Sequence, residues 1–286
     1  MTPLSYLVIG HITQDMAKDG YVLGGTATYA AVTATRLGLK ARVFTAVAPS
    51  VVPALQELAA PGDVAVVESP ETTVFKNEYT ASGRQQHLLS RATALSPEHL
   101  PTGWNHPDIA HLGPVAREVS EGFMTAFPPS TTLGLTPQGW LRTWDEEGKV
   151  APDRWEPAPE LLARASALVL SQEDVGTQTD LIDYYAAHCP VTVVTRGYAG
   201  CTLYIGGEVH HLGTRGAREV DPTGAGDVFA TAFFIRLHET GDPFVAAGFA
   251  NVAGSMSVEG PGTSAIPSRE QVEAWLESQR LPHASR

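Results

Sequence analysis

The chain has 286 residues, 43% hydrophobic and 17% charged, with 31 acidic against 19 basic side chains and a net charge of −12. That is ordinary globular composition with ample length for a large core, and without a basic block it argues against a nucleic-acid partner gripped through phosphates. No apolar stretch approaches the ~20 residues of a membrane span, and MTPLSYLVIGHITQD at the start has neither the basic lead nor the long apolar run of a signal peptide, so a cytoplasmic protein with no membrane partner is expected.

LSYLVIG (4–10) is a short apolar run ending in glycine and reads as a buried strand. GGTATYAAVTATRLG (24–38) reads as a helix between glycines, ARVFTAV (41–47) as a strand, VVPALQELAA (51–60) as a helix and VAVVE (64–68) as a strand. This β-α-β-α-β alternation predicts a parallel sheet covered by helices. Residues 72–91 differ: TTVFKNEYTASGRQQHLLSR alternates, turns at ASG and continues, which predicts a hairpin polar on both faces. So polar a hairpin fits over a sheet edge or a site, as a flap contained in one domain spanning 1–286. Strands follow at 109–113, 131–136, 167–171 and 191–195, with a helix over 174–188 and a hairpin on GG over 201–212. Helices at 225–239, 243–258 and 268–279 close the chain. Cys189 and Cys201 match no metal or redox spacing and read as small buried hydrophobes.

The segment DPTGAGDVFA (221–230) carries the clearest chemistry. A proline turn leads through Gly224, Ala225 and Gly226 into an apolar helix. Free amides of a first helical turn bind anions, and small residues let a ligand approach the backbone. Asp227 lies within that turn, as a base beside a phosphate or as a helix-end charge. In an open α/β sheet ligands bind at the carboxyl ends of strands. That places Asp15 and the helix-start glycines Gly24 and Gly25 near a ligand; a turn aspartate and a plain helix start are the alternatives. TRGYAG (195–200) alone reads mostly as a turn. Asn77, Arg84 and Gln86 on the hairpin, and Gln138 after another strand, are groups suited to a neutral, hydroxyl-rich ligand.

DPTGAGDVFA resembles the C-terminal signature of the PfkB, or ribokinase-like, carbohydrate kinases, and the order of elements resembles that family over nearly the whole chain. The resemblance implies a three-layer α/β/α ribokinase-like fold with a mostly parallel sheet and a small β-hairpin lid. It implies transfer of the ATP γ-phosphate to a sugar-like hydroxyl, with Asp227 as general base and Gly224, Ala225 and Gly226 as the anion hole. It places Asp15, Gly24 and Gly25 on the sugar, and Thr195, Gly197, Gly200 and Asn251 along the nucleotide, with Arg196 beside them as a phosphate contact or equally a solvated surface arginine. Asp221 and Thr223 fall where some relatives bind a monovalent cation such as K⁺. The family's N-x-x-E reads SQED here, leaving Glu173 and Asp174 to hold Mg²⁺ through water. The family's GG-x-x-x-N has Tyr29 for asparagine, and Thr231 stands where the signature prefers a very small residue. The short first lid segment, the aromatic after GG and SQED together are most similar to the myo-inositol kinase-like branch. A nucleoside kinase using Phe75, Tyr79 and Tyr29 around a base, and a non-catalytic ligand-binding relative, are the competing expectations. The partners expected are a small sugar or polyol and ATP, in a monomer or homodimer.

Overall fold

Strand β1 (Ser5–Ile9) sends Tyr6 and Val8 to one side and Leu7 and Ile9 to the other, and all four are fully buried. A strand buried on both faces belongs inside a sheet with helices on each side. The computed structural model describes residues 3–17, 20–58, 60, 62–80 and 83–280. After β1, strands β2 (Thr13–Ala17) and β3 (Gly20–Gly24) leave the main sheet, and helix α1 (Thr26–Arg36) and strand β4 (Lys40–Val47) return to it. A 3-10 turn, Val52–Glu57, leads to β5 (Val64–Glu68), the long pair β6 (Thr73–Thr80) and β7 (Gly83–Ser90), then β8 (Ile109–Leu112) and β9 (Thr132–Leu135). The short pair β10 (Arg142–Trp144) and β11 (Val150–Pro152) precedes α2 (Pro159–Leu162), β12 (Ala167–Ser171), α3 (Gln172–Val175), α4 (Asp180–His188) and β13 (Val191–Thr195). The described chain closes with β14 (Cys201–Ile205), β15 (Glu208–Leu212), α5 (Ala225–Thr240), α6 (Pro243–Ser257) and α7 (Arg269–Arg280).

Nine strands form one sheet in the order β15-β14-β13-β12-β9-β8-β1-β4-β5. Its pairings are parallel except β13–β14 and β14–β15. Helices α1, α5 and α6, backed by α7, cover one face, and α4 with the aromatic loop residues Phe123 and Phe127 covers the other. The result is the expected three-layer α/β/α arrangement. From β1 the chain runs outward to β4 and β5, then crosses back to β8 on the opposite flank. Such a reversal opens a crevice at the carboxyl ends of the two central strands. Here a Cβ on Gly10, just after β1, would stand 2.2 Å from the Gly113 carbonyl oxygen, just after β8.

A four-stranded sheet, β3-β2-β6-β7, lies over that crevice. The register pairs Asp15 with both Val22 and Phe75, and Asn77 with Gln86, so Thr13, Asp15, Phe75, Asn77 and Gln86 share one face. His11, buried between the sheets, donates from Nε2 to the Thr93 carbonyl (2.9 Å) and accepts at Nδ1 from Thr73 Oγ1 (2.7 Å). Its own backbone amide donates to Glu118 Oε1 at 2.9 Å.

Several elements differ from expectation for physical reasons. The helix expected over 51–60 is the short 3-10 turn Val52–Glu57: β-branched Val51 and Val52 disfavour a longer helix, and Leu55 is its anchor in the core. The helix expected over 174–188 is broken at Gly176, where φ is +52°, into α3 and α4. The flap at 72–91 pairs as β6 and β7, but not with two polar faces, because Phe75 and Leu88 are buried. The short segment before Gly24 forms two full strands and supplies half of the small sheet, and the β10–β11 pair was not expected. The 201–212 hairpin turns at Gly206 and Gly207, both at positive φ. Cys189 and Cys201 are free and buried. No helix among the described residues is long and apolar enough to cross a membrane.

Candidate active site

A cavity of about 420 Å³ lies between the carboxyl ends of the main strands and the small sheet, within the ~300–1,000 Å³ usual for small-molecule sites. Its floor is assembled from strand ends: Thr136 after β9, Ser171 closing β12, Thr195 closing β13. Thr13, Asp15, Phe75 and Gln86 come from the small sheet, and Gly224, Gly226 and Asp227 from the start of α5.

The start of α5 has a local cause. Gly224 is the N-cap in the left-handed region, φ +76°, and a Cβ there would fall 2.2 Å from the Tyr29 ring. Only glycine meets both demands. The Ala225 amide donates to the Pro222 carbonyl at 3.2 Å. An anion at this helix end would therefore be met by the first-turn amides that follow, those of Gly226 and Asp227.

Asp227 is raised to about 6, mainly by burial; a hydrogen bond from Thr26 opposes the rise, the Asp174 charge adds to it and the Arg142 charge opposes it. Thr26 opens α1 and is itself buried. Asp174 is held at both oxygens: Oδ2 accepts from the Ser171 amide at 2.8 Å, within a capping box, and Oδ1 accepts from Gln138 Nε2 at 3.2 Å. Gln86 Nε2 donates to Asn77 Oδ1 at 3.1 Å, which orients the Gln86 amide over the cavity. Thr13 Oγ1 donates to Asp15 Oδ1 at 3.3 Å, and a Cβ on Gly24 would meet Asp15 Oδ2 at 2.5 Å.

The structure thus gathers Asp15, Gly25, Gln86, Gln138, Glu173, Asp174, Thr195, Thr223, Gly224, Gly226 and Asp227 around one space, with Gly24, Asn77 and Ala225 directly behind it. Arg196, Gly197 and Gly200 form the turn between β13 and β14 and are not among the lining residues. Asn251 is buried in α6 and spends its amide on the Gly213 carbonyl (3.2 Å) and Cys201 Sγ (3.5 Å). Asp221 accepts from the Thr223 and Gly262 amides at 3.0 and 2.8 Å. Burial raises its carboxyl, but those amides outweigh burial and hold it below its ordinary range. Side chains of Tyr79 and Arg84 lie outside the described residues.

Sequence reasoning missed Thr26, Thr136 and Arg142. Arg142, from the unexpected strand β10, lines the cavity, donates from Nη1 to the Val115 carbonyl at 3.2 Å and stands 5.7 Å from the Phe75 ring centre. No local motif marks it.

For a divalent ion, no cluster of three or more His, Cys, Asp or Glu side chains exists among the described residues. Glu173 and Asp174 do line the cavity. Two carboxylates suit Mg²⁺, which keeps most of its waters and is bound by few protein groups together with phosphate oxygens.

A doubly covered, mostly parallel sheet, with a small sheet over the crevice at its switch point and a glycine-led helix aimed into it, defines a ribokinase-like α/β/α protein. Residues 163–270 match the family described as pfkB family carbohydrate kinase. Among curated proteins, the chain is 30% identical over 131 residues to "Bifunctional protein HldE" of Caulobacter sp. (strain K31), covering 45% of this chain and 26% of that one. It is 28% identical over 177 residues to "Inositol 3-kinase" of Zea mays, covering 58% and 45%. The chain therefore spans less than half the length of these relatives. Among solved structures, a pyrophosphate-dependent kinase of the ribokinase family, complexed with a pyrophosphate analog and myo-inositol, is similar at TM-score 0.77 and 22% identity, with 94% and 99% of the two chains covered. Ribokinase from Thermotoga maritima is similar at TM-score 0.74 and 21% identity, with 96% and 99% covered. At these identities the likeness is one of fold.

Proposed function

We propose that the protein transfers the γ-phosphoryl group of ATP to a hydroxyl of a sugar or polyol, with myo-inositol as the leading acceptor. The observation that carries this reading is the setting of Asp227: a carboxylate raised to about 6, at the first turn of a glycine-led helix, in a cavity rimmed by amides and hydroxyls. A base poised near the working pH suits proton abstraction from an alcohol. The partial identity to an inositol kinase and the likeness to a myo-inositol complex support the acceptor.

In this reading Asp15, Gln86 and Gln138 take hydrogen bonds with acceptor hydroxyls, and Phe75 and Tyr29 wall the ring. Asp227 accepts the proton of one hydroxyl as its oxygen forms a bond to the γ-phosphorus. The bond from that phosphorus to the ADP oxygen breaks, and ADP leaves with those electrons. The Gly226 and Asp227 amides and the α5 dipole offset charge on the transferring group. Glu173 and Asp174 would hold Mg²⁺ through water, and the ion when bound neutralises donor phosphate charge.

A second reading concerns the donor. The Asn251 amide is already bonded to Gly213 and Cys201, and Thr214 Oγ1 donates to the Asn251 carbonyl at 3.0 Å. With that amide already committed, inorganic pyrophosphate is an alternative donor, as in the structurally similar kinase.

The test is a product screen with purified protein and Mg²⁺, offering ATP or pyrophosphate against inositols, pentoses, hexoses and nucleosides. Phosphorylated polyol from the wild type, lost in Asp227→Asn, is expected. Nucleoside turnover would move the acceptor class. Polyol binding without product under either donor would reduce the protein to a ligand-binding relative.

A further inference from the structure

Beneath the cavity floor lies a line of polar side chains to which the reading above gives no role. Tyr6 on β1 and His111 on β8 are fully buried in the layer between the sheet and α5. Tyr6 Oη and His111 Nδ1 are 2.9 Å apart, and His111 Nε2 and Thr136 Oγ1 are 2.9 Å apart. Thr136 closes the line at the cavity, which it lines. At the other end Thr231, one turn beyond Asp227 on α5, faces the Tyr6 hydroxyl. Its Oγ1 is buried and has no hydrogen-bond partner among the described residues, so it neither gives nor takes a bond with Tyr6. Phe234 packs edge-on against the imidazole at 5.1 Å, so nothing polar from α5 reaches His111 on that side.

Donor counting along this line has two solutions. His111 is neutral, because burial without compensating charge drives it down to about 3. It therefore has one N–H to give. In one solution the Tyr6 hydroxyl donates to Nδ1 and Nε2–H donates to Thr136 Oγ1. The Tyr6 and His111 hydrogens then both have acceptors, and the Thr136 hydroxyl hydrogen points away from His111, toward the cavity or the distant Leu112 carbonyl at 3.5 Å. In the other, Nδ1–H donates to Tyr6 and Thr136 donates to Nε2. That leaves the Tyr6 hydroxyl hydrogen buried without an acceptor, the costlier state. The first solution wins, and it turns Thr136 outward as a donor. Thr136 also sits close to the reacting end. A Cβ on Gly113 would be 3.4 Å from Thr136 Oγ1 and 2.4 Å from Thr26 Cγ2, and Thr26 bonds Asp227.

We infer that Thr136 donates a hydrogen bond to an acceptor hydroxyl oxygen beside the one that reacts, and that His111 and Tyr6 are positioning residues holding the Thr136 hydroxyl in the donating state. The inference rests on the polyol reading of the cavity.

The test pairs Thr136→Val, Thr136→Ser and Tyr6→Phe with the double variant Thr136→Val/Tyr6→Phe. Calorimetry with myo-inositol gives Kd, turnover gives KM and kcat, and thermal melting gives Tm. Thr136→Val is expected to weaken myo-inositol binding about tenfold, and Thr136→Ser to restore it. Tyr6→Phe is expected to weaken binding several-fold in the wild-type background and not at all on top of Thr136→Val, although Tm falls in both. A purely structural Tyr6 would instead add its effect to that of Thr136→Val. Additive effects, or Kd for Thr136→Val within twofold of wild type, would overturn the inference and leave the kinase reading standing. Thr136-dependent binding with no turnover under ATP or pyrophosphate would do the reverse, and absence of myo-inositol binding by the wild type would remove the inference.

Discussion

Burial raises the Asp227 carboxyl to about 6, so the ionised form that accepts a proton is the form the fold tolerates least. Under the kinase reading, kcat/KM for the acceptor should fall with unit slope below a pH of about 6. Thr26→Val, which removes the hydrogen bond opposing the rise, should move that acid limb upward; a pH–rate profile of the two proteins checks both. Linkage has the opposite sign for stability. The folded carboxyl binds its proton more tightly than an unfolded aspartate near 3.9, so stability is lost as pH rises from about 4 through 6, by up to about 3 kcal/mol. Asp227→Asn should therefore lower turnover by about 10²–10⁴-fold while raising Tm at pH 7.5, with the gain in Tm shrinking toward pH 4. At this scale the sequence showed what a motif can show. Asp227 and its glycines stand in one decapeptide, and Asp15, Gln86 and Gln138 were legible as polar groups at strand ends or on the flap. Arg142, Thr26, Thr136 and His111 were not, since each acquires its meaning from a partner tens of residues away.

At the level of elements, the start of α5 and the attachment of the small sheet are the two joints on which the cavity depends. Gly224→Ala should be poorly tolerated, because it combines a left-handed φ of +76° with a Cβ driven into the Tyr29 ring. Strain of this kind costs of order 1–3 kcal/mol, and a lower Tm with weakened donor binding would express it. His11 joins Thr73, at the start of β6, to Thr93, just beyond β7. Replacing it with Phe keeps the bulk and removes both bonds. Acceptor KM should rise more than kcat falls, since the small sheet would hold Asp15, Phe75 and Gln86 less firmly; an unchanged KM would show that the roof needs no such tie. The main strands were legible because continuous apolar runs bounded by glycine mark strands buried on both faces. β2, β3, β10 and β11 were obscured for the converse reason. They are short, partly exposed and mixed in polarity, so their pairing is decided by what lies across from them.

For the molecule as a whole, the walls of the cavity come from both sheets and from α5. A ligand that touches all of them binds only the assembled state. Saturation with the right polyol at about 100 times its Kd should add about 2.7 kcal/mol to stability, and a differential scan against a panel of polyols would rank acceptors without any assay of chemistry. Under the kinase reading, the net charge of −12 works against an anionic donor at long range, and the local α5 terminus, Arg142 and a bound cation would offset it. Donor affinity should accordingly improve, not weaken, as moderate salt screens that global repulsion, which donor titrations at two ionic strengths would reveal.

The close approach of Gly10 and Gly113 has a bearing on which acceptors fit. Those two residues end the strands that flank the crevice, and any Cβ on Gly10 would press on the Gly113 carbonyl oxygen. Two bare backbones, tied by the Gly113 amide donating to the Ile9 carbonyl at 2.9 Å, thus meet where the crevice opens. Gly10→Ala would wedge the jaws apart, and bulkier acceptors would gain on smaller ones. Under the kinase reading, size selection would then depend partly on two peptide units that do not line the cavity.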